Sequence, residues 1–253
     1  MPPPSDFLMN LISQTSKDFQ LIVVDSGQNE EFTEMLKNVQ NLFLHRLKVV
    51  QTNASNIFEM LNEGLRAAQG EYVIFLDNES TFTNNFVEFF YSIAKENAAD
   101  IVHTSKYAVP VAGKERATQM KVYLRDSEEI LTEGNEKEYI LNEWLKRQGN
   151  VKIRNKIIRR AFLLENDIEF SVSVYMPEWI FYLKCLCLVE KYIVVKDVLY
   201  IQLGSENAEE PAEIHKMIEG LEVIEKFIGN VFAENPELRQ KILLAYMKNF
   251  LTT

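Results

Sequence analysis

Short apolar runs alternate, along the first hundred residues, with stretches in which apolar residues recur every three or four positions. The runs 19–24, 47–50 and 72–76 are brief and almost wholly apolar, as strands buried on both faces are. Between them, residues 30–40 and 56–68 follow the helical period. Strands that alternate with helices predict an α/β fold whose sheet is mostly parallel and flanked by helices.

The rest of the pattern is mainly helical. Apolar residues recur at helical spacing over residues 5–17, 86–93, 135–147, 155–166 and 177–189 and from 211 onward, with a break at Asn235-Pro236. Further strands are predicted at 101–102 and 192–195. The segments on either side of the break predict a C-terminal helical hairpin.

Two acidic residues, Asp25 and Asp77, directly follow predicted strands. Ligands bind beyond the carboxyl ends of parallel strands, so acids at one edge of the sheet are the first candidates for a site. Turn formation, which Asp favours, explains either residue alone equally well. The pair leaves both interpretations open.

The charge balance excludes one class of partner. The chain of 253 residues has a formal net charge of -10, and such a surface repels phosphate backbones, so we expect no nucleic-acid binding. Basic residues do cluster locally, at Lys152, Arg154, Lys156, Arg159 and Arg160. We interpret this run as a solvated helix or strand edge.

The remaining residue types suggest ordinary packing. Cys185 and Cys187 are separated by one residue, a spacing that suits neither a zinc pair nor a redox motif, so we predict reduced core residues. Trp144 and Trp179 lie on apolar helical stripes and are predicted to pack in the core. The histidines are scattered and suggest no metal cluster, and we interpret His103 as a core or rim residue.

Targeting signals are also missing from the sequence. It has no run of about 18 apolar residues, as a membrane-spanning helix requires. The start, MPPPSDFL, does not resemble a secretion signal. We therefore expect a cytoplasmic protein, with at most peripheral contact at the inner face of the membrane.

Five segments, taken in order, resemble one known family. Residues 12–27 read ISQTSKDFQLIVVDSG, and residues 62–77 read NEGLRAAQGEYVIFLD. Further along stand NKIIRRAFL at 155–163, PEWIF at 177–181 and VLYIQ at 198–202, with Gly204-Ser205. Together they resemble the family-2 glycosyltransferases of GT-A fold, over about residues 8–205.

The resemblance implies an activity and a domain layout. It implies transfer of a sugar, with inversion, from a nucleotide-diphosphate sugar to a glycan or lipid-linked acceptor, and a UDP-sugar is the expected donor. It also implies a GT-A-like domain over 1–205, whose nucleotide-binding half covers about 1–105 and whose acceptor half covers about 106–205. A helical extension over 206–253 follows.

The resemblance also implies roles for single residues. The positions that match nucleotide-sugar contacts are Asp25, Gly27, Asn62 and Asp77. Asp77 and Glu79 match the metal-binding acids, where Mn²⁺ or Mg²⁺ bridges carboxylates to the diphosphate. Glu178 falls where the family keeps the carboxylate that deprotonates the acceptor hydroxyl.

Other positions depart from the family pattern. Ser26 replaces the second Asp of a DDGS motif, Leu61 replaces a basic residue that contacts the diphosphate, and Glu178 stands where the family has Asp. The family's first strand, similar to VSVIIPVYN, has no counterpart ahead of the first helix. These departures keep a second hypothesis open, a non-catalytic homologue that acts as a binding or partner subunit and associates with itself or another chain. Neither GxGxxG nor GxxxxGKS occurs, so dinucleotide and P-loop binding are not predicted.

Overall fold

The structure, a computed structural model, describes residues 4–76, 80–104, 106–110, 118–122, 129–132, 135–146, 153–195, 200–202 and 213–252. The α-helices in these ranges are α1 (Pro4–Ile12), α2 (Glu30–Phe43), α3 (Ile57–Ala67), α4 (Phe86–Glu96), α5 (Asn135–Lys146), α6 (Arg160–Glu165), α7 (Pro177–Leu188), α8 (Ile214–Val231) and α9 (Pro236–Thr252). The strands are β1 (Leu21–Asp25), β2 (Leu47–Gln51), β3 (Tyr72–Val73), β4 (Ser80–Phe82), β5 (Ile101–Thr104), β6 (Lys106–Pro110), β7 (Thr118–Val122), β8 (Glu129–Thr132), β9 (Lys156–Arg159), β10 (Lys191–Val195) and β11 (Tyr200–Gln202).

Local sequence fixes where several helices begin. The side chain of Asn29 accepts a hydrogen bond from Phe32 N at 2.9 Å and caps α2, and Asn56 caps α3 in the same way. Pro177 begins α7, where its missing N–H costs nothing. The residue before it, Met176, has φ of 52° and turns the chain sharply into the helix.

The strands form three sheets. β1 and β2 pair in parallel, with Leu21 opposite Leu47. A five-stranded sheet has the order β3-β9-β5-β10-β8, in which β5 and β10 are parallel and the other pairs are antiparallel. A four-stranded sheet has the order β4-β11-β6-β7 and contains one parallel pair, β6 and β11.

The predicted α/β class, with parallel strands and a C-terminal helical hairpin, is confirmed. The expected mostly parallel pairing does not extend to every strand, because five of the eight described strand pairs are antiparallel. Most predicted elements match the observed ones to within a few residues. α1 ends at Ile12, earlier than the predicted residue 17, because Thr15 N bonds to Asn84 O instead of to its own helix. Strands β6 to β8 lie in a region of weak pattern and were not predicted.

One predicted helix is wrong in its first half. Residues 155–166 were predicted to be helical, but 156–159 form β9 and only 160–165 are helical. β9 lies between β3 and β5, where the β-branched pair Ile157-Ile158 is buried on both faces. This tertiary environment favours the extended chain over the helical period that follows it.

The interpretation of the basic run as a solvated edge is wrong for Lys156, which is fully buried. Arg159 is half-buried because its guanidinium bonds to Asp100. Lys152 lies outside the described residues. The predictions of core positions for Trp144, Trp179 and His103 are confirmed, and both cysteines are free thiols.

One buried carboxylate joins three strands of the central sheet. Asp100, just before β5, accepts hydrogen bonds from Arg159 Nε at 2.9 Å and Nη2 at 2.6 Å. Its other oxygen accepts from the backbone N–H groups of Glu190 and Lys191, at 2.8 and 2.9 Å. The ends of β9 and β10 are thereby fixed against the start of β5.

The C-terminal hairpin packs through a close approach of α8 to α9. A Cβ added at Gly220 in α8 would stand 1.9 Å from the hydroxyl oxygen of Tyr246 in α9. That hydroxyl donates to Tyr175 O at 2.5 Å, so the tyrosine ring is held in place. Gly220 therefore provides the room that the buried tyrosine occupies.

We expect the Gly220→Ala variant to unfold more easily, by about 1–3 kcal/mol, because overpacking forces the two helices apart. The matched control is Gly229→Ala in the same helix, where the new Cβ meets Arg239 at 3.8 Å, an ordinary contact. The control gains up to about 1 kcal/mol from alanine's helix propensity. Urea unfolding of both variants measures the difference, and equal stabilities would contradict the close approach.

Candidate functional site

The carboxyl ends of β1 and β2 hold an acidic side chain in place. Asp25 ends β1 and is only 5% exposed. Its Oδ1 accepts from Gly27 N at 2.9 Å, and its Oδ2 accepts from Thr33 Oγ1 at 3.0 Å and from Gln51 Nε2 at 3.2 Å. Strand β1, the N-terminal half of α2 and the end of β2 thus converge on one carboxylate.

These hydrogen bonds decide the charge of Asp25. Burial by itself raises its pKa, but the bonds from Gly27, Gln51 and Thr33 outweigh that effect and bring the pKa below the ordinary 3.8. Hydrogen bonds to a carboxylate stabilise its charged form. Asp25 is therefore an ionised acceptor at neutral pH.

Gly27 shapes the bend that follows β1. Its φ is +70°, in the left-handed region that glycine adopts without strain. This conformation turns its N–H back toward Asp25 and closes the turn. The backbone angle, and not a shortage of space, requires glycine here, because an added Cβ would come no nearer than 4.0 Å to Gln51.

A cleft of about 700 Å³ opens beyond this edge, between the ends of β1 and β2 and the first turns of α3. Its lining consists of Ser26, Gln51, Thr52, Asn53, Ala54, Ser55, Glu59 and Glu63. Ser26 follows Asp25 directly, and Gln51 donates a hydrogen bond to Asp25, so Asp25 lies directly behind this lining. This lining contains two carboxylates and neither lysine nor arginine.

The side chain of Asn62 bonds to the backbone of a residue that is distant in the sequence. It is 5% exposed, its Nδ2 donates to Phe170 O, and its Oδ1 accepts from Phe170 N, both at 2.9 Å. Phe170 in turn stacks on Phe181 of α7, with ring centroids 4.1 Å apart. The amide of Asn62 thus joins α3 to the second half of the chain, and its role in nucleotide binding stays a prediction.

Glu178 lies in the first turn of α7. Its side chain is half-buried between the buried residues Pro177 and Trp179, and its Oε1 accepts from the N–H of Ile153. Ile153 begins the short 3-10 turn that leads into β9. The backbone of one element and the helix start of another therefore hold this carboxylate.

A buried polar network lies beside Glu178, and sequence reasoning missed it. Lys156 donates to Asn155 Oδ1 at 2.9 Å, and its ammonium lies 4.7 Å from the centre of the Tyr182 ring. The Tyr182 and Tyr192 hydroxyls are 2.5 Å apart, and Tyr192 bonds to His103 Nδ1 at 2.7 Å. An Asn-Lys pair ahead of two isoleucines is the signal that could have placed the lysine in a buried strand.

The structure brings together some of the predicted site residues. Asp25 and Gly27 share one turn, whereas Glu178 lies on α7 in the other half of the chain. Asp77 and Glu79 lie outside the described residues. Within the described ranges, His, Cys, Asp and Glu side chains form no group of three that could hold a metal ion.

A family profile matches residues 6–164, well over half of the chain, and its description is Glycosyl transferase family 2. The chain belongs to this family. Among its relatives, this family-2 protein is 32% identical to the poly(ribitol-phosphate) beta-N-acetylglucosaminyltransferase TarP of Staphylococcus aureus, over 42% of the chain and 33% of TarP. It is 23% identical to the cholesterol galactosyltransferase of Borreliella burgdorferi, over 94% of the chain and 68% of that relative.

Solved structures show that this family-2 protein has the GT-A fold. A crystallised fragment of S. aureus TarS superposes with a TM-score of 0.73 at 18% identity, covering 99% of this chain and 68% of the fragment. The same fragment in complex with UDP-GlcNAc gives 0.72. The chain spans about a third of TarP and 40% of a longer TarS structure, so it corresponds to part of these proteins.

The length and apolar character of the helices bear on membrane crossing. None of the helices in the described ranges combines the length and the apolar character that crossing a bilayer requires. α7, the most apolar of the core helices, has 12 residues and is buried in the protein.

We expect Asn62→Ala to lower the free energy of unfolding by about 2–4 kcal/mol, since it leaves the N–H and C=O of Phe170 without partners. The matched control is Asn166→Ala, which removes one local bond to Phe162 O at an exposed position. The control should lose no more than about 1 kcal/mol. Urea unfolding compares the two, and equal losses would contradict a structural role for Asn62.

Proposed function

We propose that this chain transfers a sugar from a UDP-sugar to a hydroxyl of a glycan or lipid-linked acceptor, with inversion at the transferred carbon. The observation that carries the proposal is the cleft at the carboxyl edge of β1 and β2, with the ionised Asp25 beneath it. This is the edge at which α/β sheets bind ligands. Membership of glycosyltransferase family 2 supports the reaction class.

Asp25 is suited to the nucleotide base. A base offers N–H donors, and a buried, ionised carboxylate with a fixed orientation accepts them strongly. Gln51 and Thr33 hold the Oδ2 atom, so the carboxylate cannot rotate freely. Gly27 gives the neighbouring backbone the compact turn that keeps the cleft open beside Asp25.

The diphosphate needs positive charge that the described cleft lining does not contain. Glu59 and Glu63 would repel it, and Leu61 stands where the family has a basic residue. We assign this task to Mn²⁺ or Mg²⁺ held by Asp77 and Glu79, since hard cations take carboxylate oxygens. A mannosyltransferase of Pyrobaculum calidifontis, with a TM-score of 0.58, was solved with GDP-mannose and Mn²⁺.

Glu178 is the proposed general base. Its carboxylate accepts the N–H of Ile153 and is half-exposed, so it retains capacity to accept the proton of an acceptor hydroxyl. A base on the acceptor side, opposite the leaving diphosphate, produces inversion in a single displacement. The position of Glu178 at the start of a core helix keeps it rigid.

The relatives support the proposed acceptor class. Their printed names include transferases that act on poly(ribitol-phosphate) and on cholesterol. We therefore assign this chain to cell-wall or polysaccharide biosynthesis, acting on the cytoplasmic side of the membrane. In this scheme residues 1–205 carry both substrates, and 206–253 form a helical support.

We expect calorimetric titration with UDP to give binding that is strengthened by Mn²⁺. Asp77→Ala should abolish the metal dependence. Asp25→Asn should weaken binding by about 10- to 100-fold, because a hydrogen bond to a charged acceptor becomes one to a neutral acceptor. Asp18→Asn, at an exposed position ahead of β1 and so at the opposite end of that strand from Asp25, is the control and should bind UDP as the wild type does.

The same titration decides between the two hypotheses. If folded wild-type protein binds no UDP with or without Mn²⁺, the chain is a non-catalytic homologue and a partner should be sought. If Asp25→Asn binds UDP as tightly as the wild type, the assignment of Asp25 to the base is wrong.

We expect Glu178→Gln to lower kcat for transfer by about 100- to 10,000-fold, since it removes the proton acceptor. UDP affinity should stay unchanged because Glu178 lies on α7, in the other half of the chain from Asp25 and the cleft. The control is Glu190→Gln, an exposed residue just beyond α7. UDP release from the donor in the presence of acceptor measures the rate, and full activity of Glu178→Gln would exclude it as the base.

A further inference from the structure

The donor and acceptor roles leave one buried charge-bearing group without a task. Lys156, the first residue of β9, is 0% exposed. An ammonium group is costly to remove from water unless neighbouring groups stabilise it. Its surroundings are therefore informative about its function.

Lys156 is held from two sides. Asn155 Oδ1 accepts a hydrogen bond from the Lys156 ammonium at 2.9 Å. The Nδ2 of the same asparagine donates to Thr104 O at 3.0 Å, at the end of β5. The Tyr182 ring lies below the ammonium, at a distance typical of a cation–π contact. The lysine is thus fixed at the carboxyl end of the central sheet.

One face of α7 lies against this lysine. Glu178, Tyr182 and Cys185 are spaced four and three residues apart, so they share a face of the helix. Burial lowers the pKa of Lys156 from 10.5 to about 7, and the charge of Glu178 acts in the opposite direction. The charge of Glu178 therefore favours the ammonium form of Lys156.

The other neighbours of Lys156 are neutral. His103 lies opposite it across β5 and β9, and burial, together with the lysine charge, holds the pKa of His103 well below 6.5. Burial raises the pKa values of Tyr182, Tyr192 and Cys185 above their ordinary values. Among the described residues, Glu178 therefore supplies the negative charge that acts on the Lys156 ammonium.

We propose that Lys156 is a positioning residue that orients the Glu178 carboxylate for the acceptor hydroxyl, an inference that rests on the proposed function. The N–H of Ile153, three residues before Lys156, fixes one oxygen of the carboxylate. The buried ammonium lies over the ring of Tyr182, one turn beyond Glu178 on the same face of α7, and attracts the carboxylate from the protein side. Lys156 itself touches neither donor nor acceptor.

In the transfer step, the acceptor oxygen forms a bond to the anomeric carbon of the sugar. The bond from that carbon to the diphosphate breaks, and its electron pair leaves with UDP. The proton of the acceptor hydroxyl passes to Glu178, and Lys156 takes no part in that proton transfer.

The first test measures the lysine directly and needs no activity. In protein labelled with ¹³C-lysine, the Cε signal that disappears in Lys156→Met reports the titration of Lys156. Glu178→Gln should shift that titration to lower pH, because the anion that favours the ammonium is removed. Glu190→Gln is the control and should leave it unchanged. A titration that is the same in Glu178→Gln as in the wild type would overturn the proposal.

The second test separates positioning from general damage to the core. Lys156→Met should fold, since methionine matches the apolar stem of lysine and Glu178, which loses the nearby ammonium, is partly exposed to water. It should lower kcat by about 10- to 100-fold, as misplacement of a catalytic group does, with the donor KM and UDP affinity unchanged. Tyr182→Phe, which deletes a buried hydroxyl but keeps the ring under Lys156, should retain the wild-type kcat.

The outcomes distinguish this inference from the proposed function. If the wild type transfers sugar but Lys156→Met keeps its kcat, or loses UDP affinity along with it, the positioning role is wrong and the function stands. Equal losses in Lys156→Met and Tyr182→Phe also overturn it. If the wild type transfers no sugar, the proposed function fails, and the ¹³C titration alone decides whether Lys156 and Glu178 are coupled.

Discussion

The carboxylate of Asp100 is the constraint on which the second half of the molecule depends. Four hydrogen bonds, from Arg159 and from the backbone of Glu190 and Lys191, converge on its two oxygens. They set the register of β5 against β9 and β10. A slip of one residue would turn every side chain of a strand to the opposite face. His103, Lys156 and Tyr192 each lie within three residues of a group in this set of bonds, so their positions follow from this single buried carboxylate.

Sequence reasoning predicted the parts of the fold that local patterns control. The spacing of apolar residues, with the break at Asn235-Pro236, predicted β1, α3 and the hairpin of α8 and α9 correctly. The prediction failed at β9, because the helical spacing of apolar residues over 160–165 continues back through Ile157-Ile158 in the sequence. The conformation of those isoleucines is decided by their burial between β3 and β5, and both of these strands are distant from β9 in the sequence.

The candidate site was predictable to the same extent. Asp25 and Gly27 belong to one turn directly after an apolar strand, so their proximity is local. Asn62 looks like a surface residue of α3, but its partner Phe170 is 108 residues away, and no local pattern reveals the bond between them. Lys156 was misjudged for a related reason, since a lysine in a basic run is usually solvated, whereas this one lies in a strand between β3 and β5 and against the Tyr182 ring of α7.

The bond between Asn62 and Phe170 gives the molecule a mechanical property. One side of α3 lines the cleft, Asn62 binds the backbone of Phe170, and the Phe170 ring stacks on Phe181, less than a turn beyond Glu178 on α7. Packed core contacts, and not surface loops, therefore define the separation between the cleft and the carboxylate of Glu178. Outer segments are free to diverge among relatives without altering that separation, whereas a change at Phe170 disturbs both ends at once.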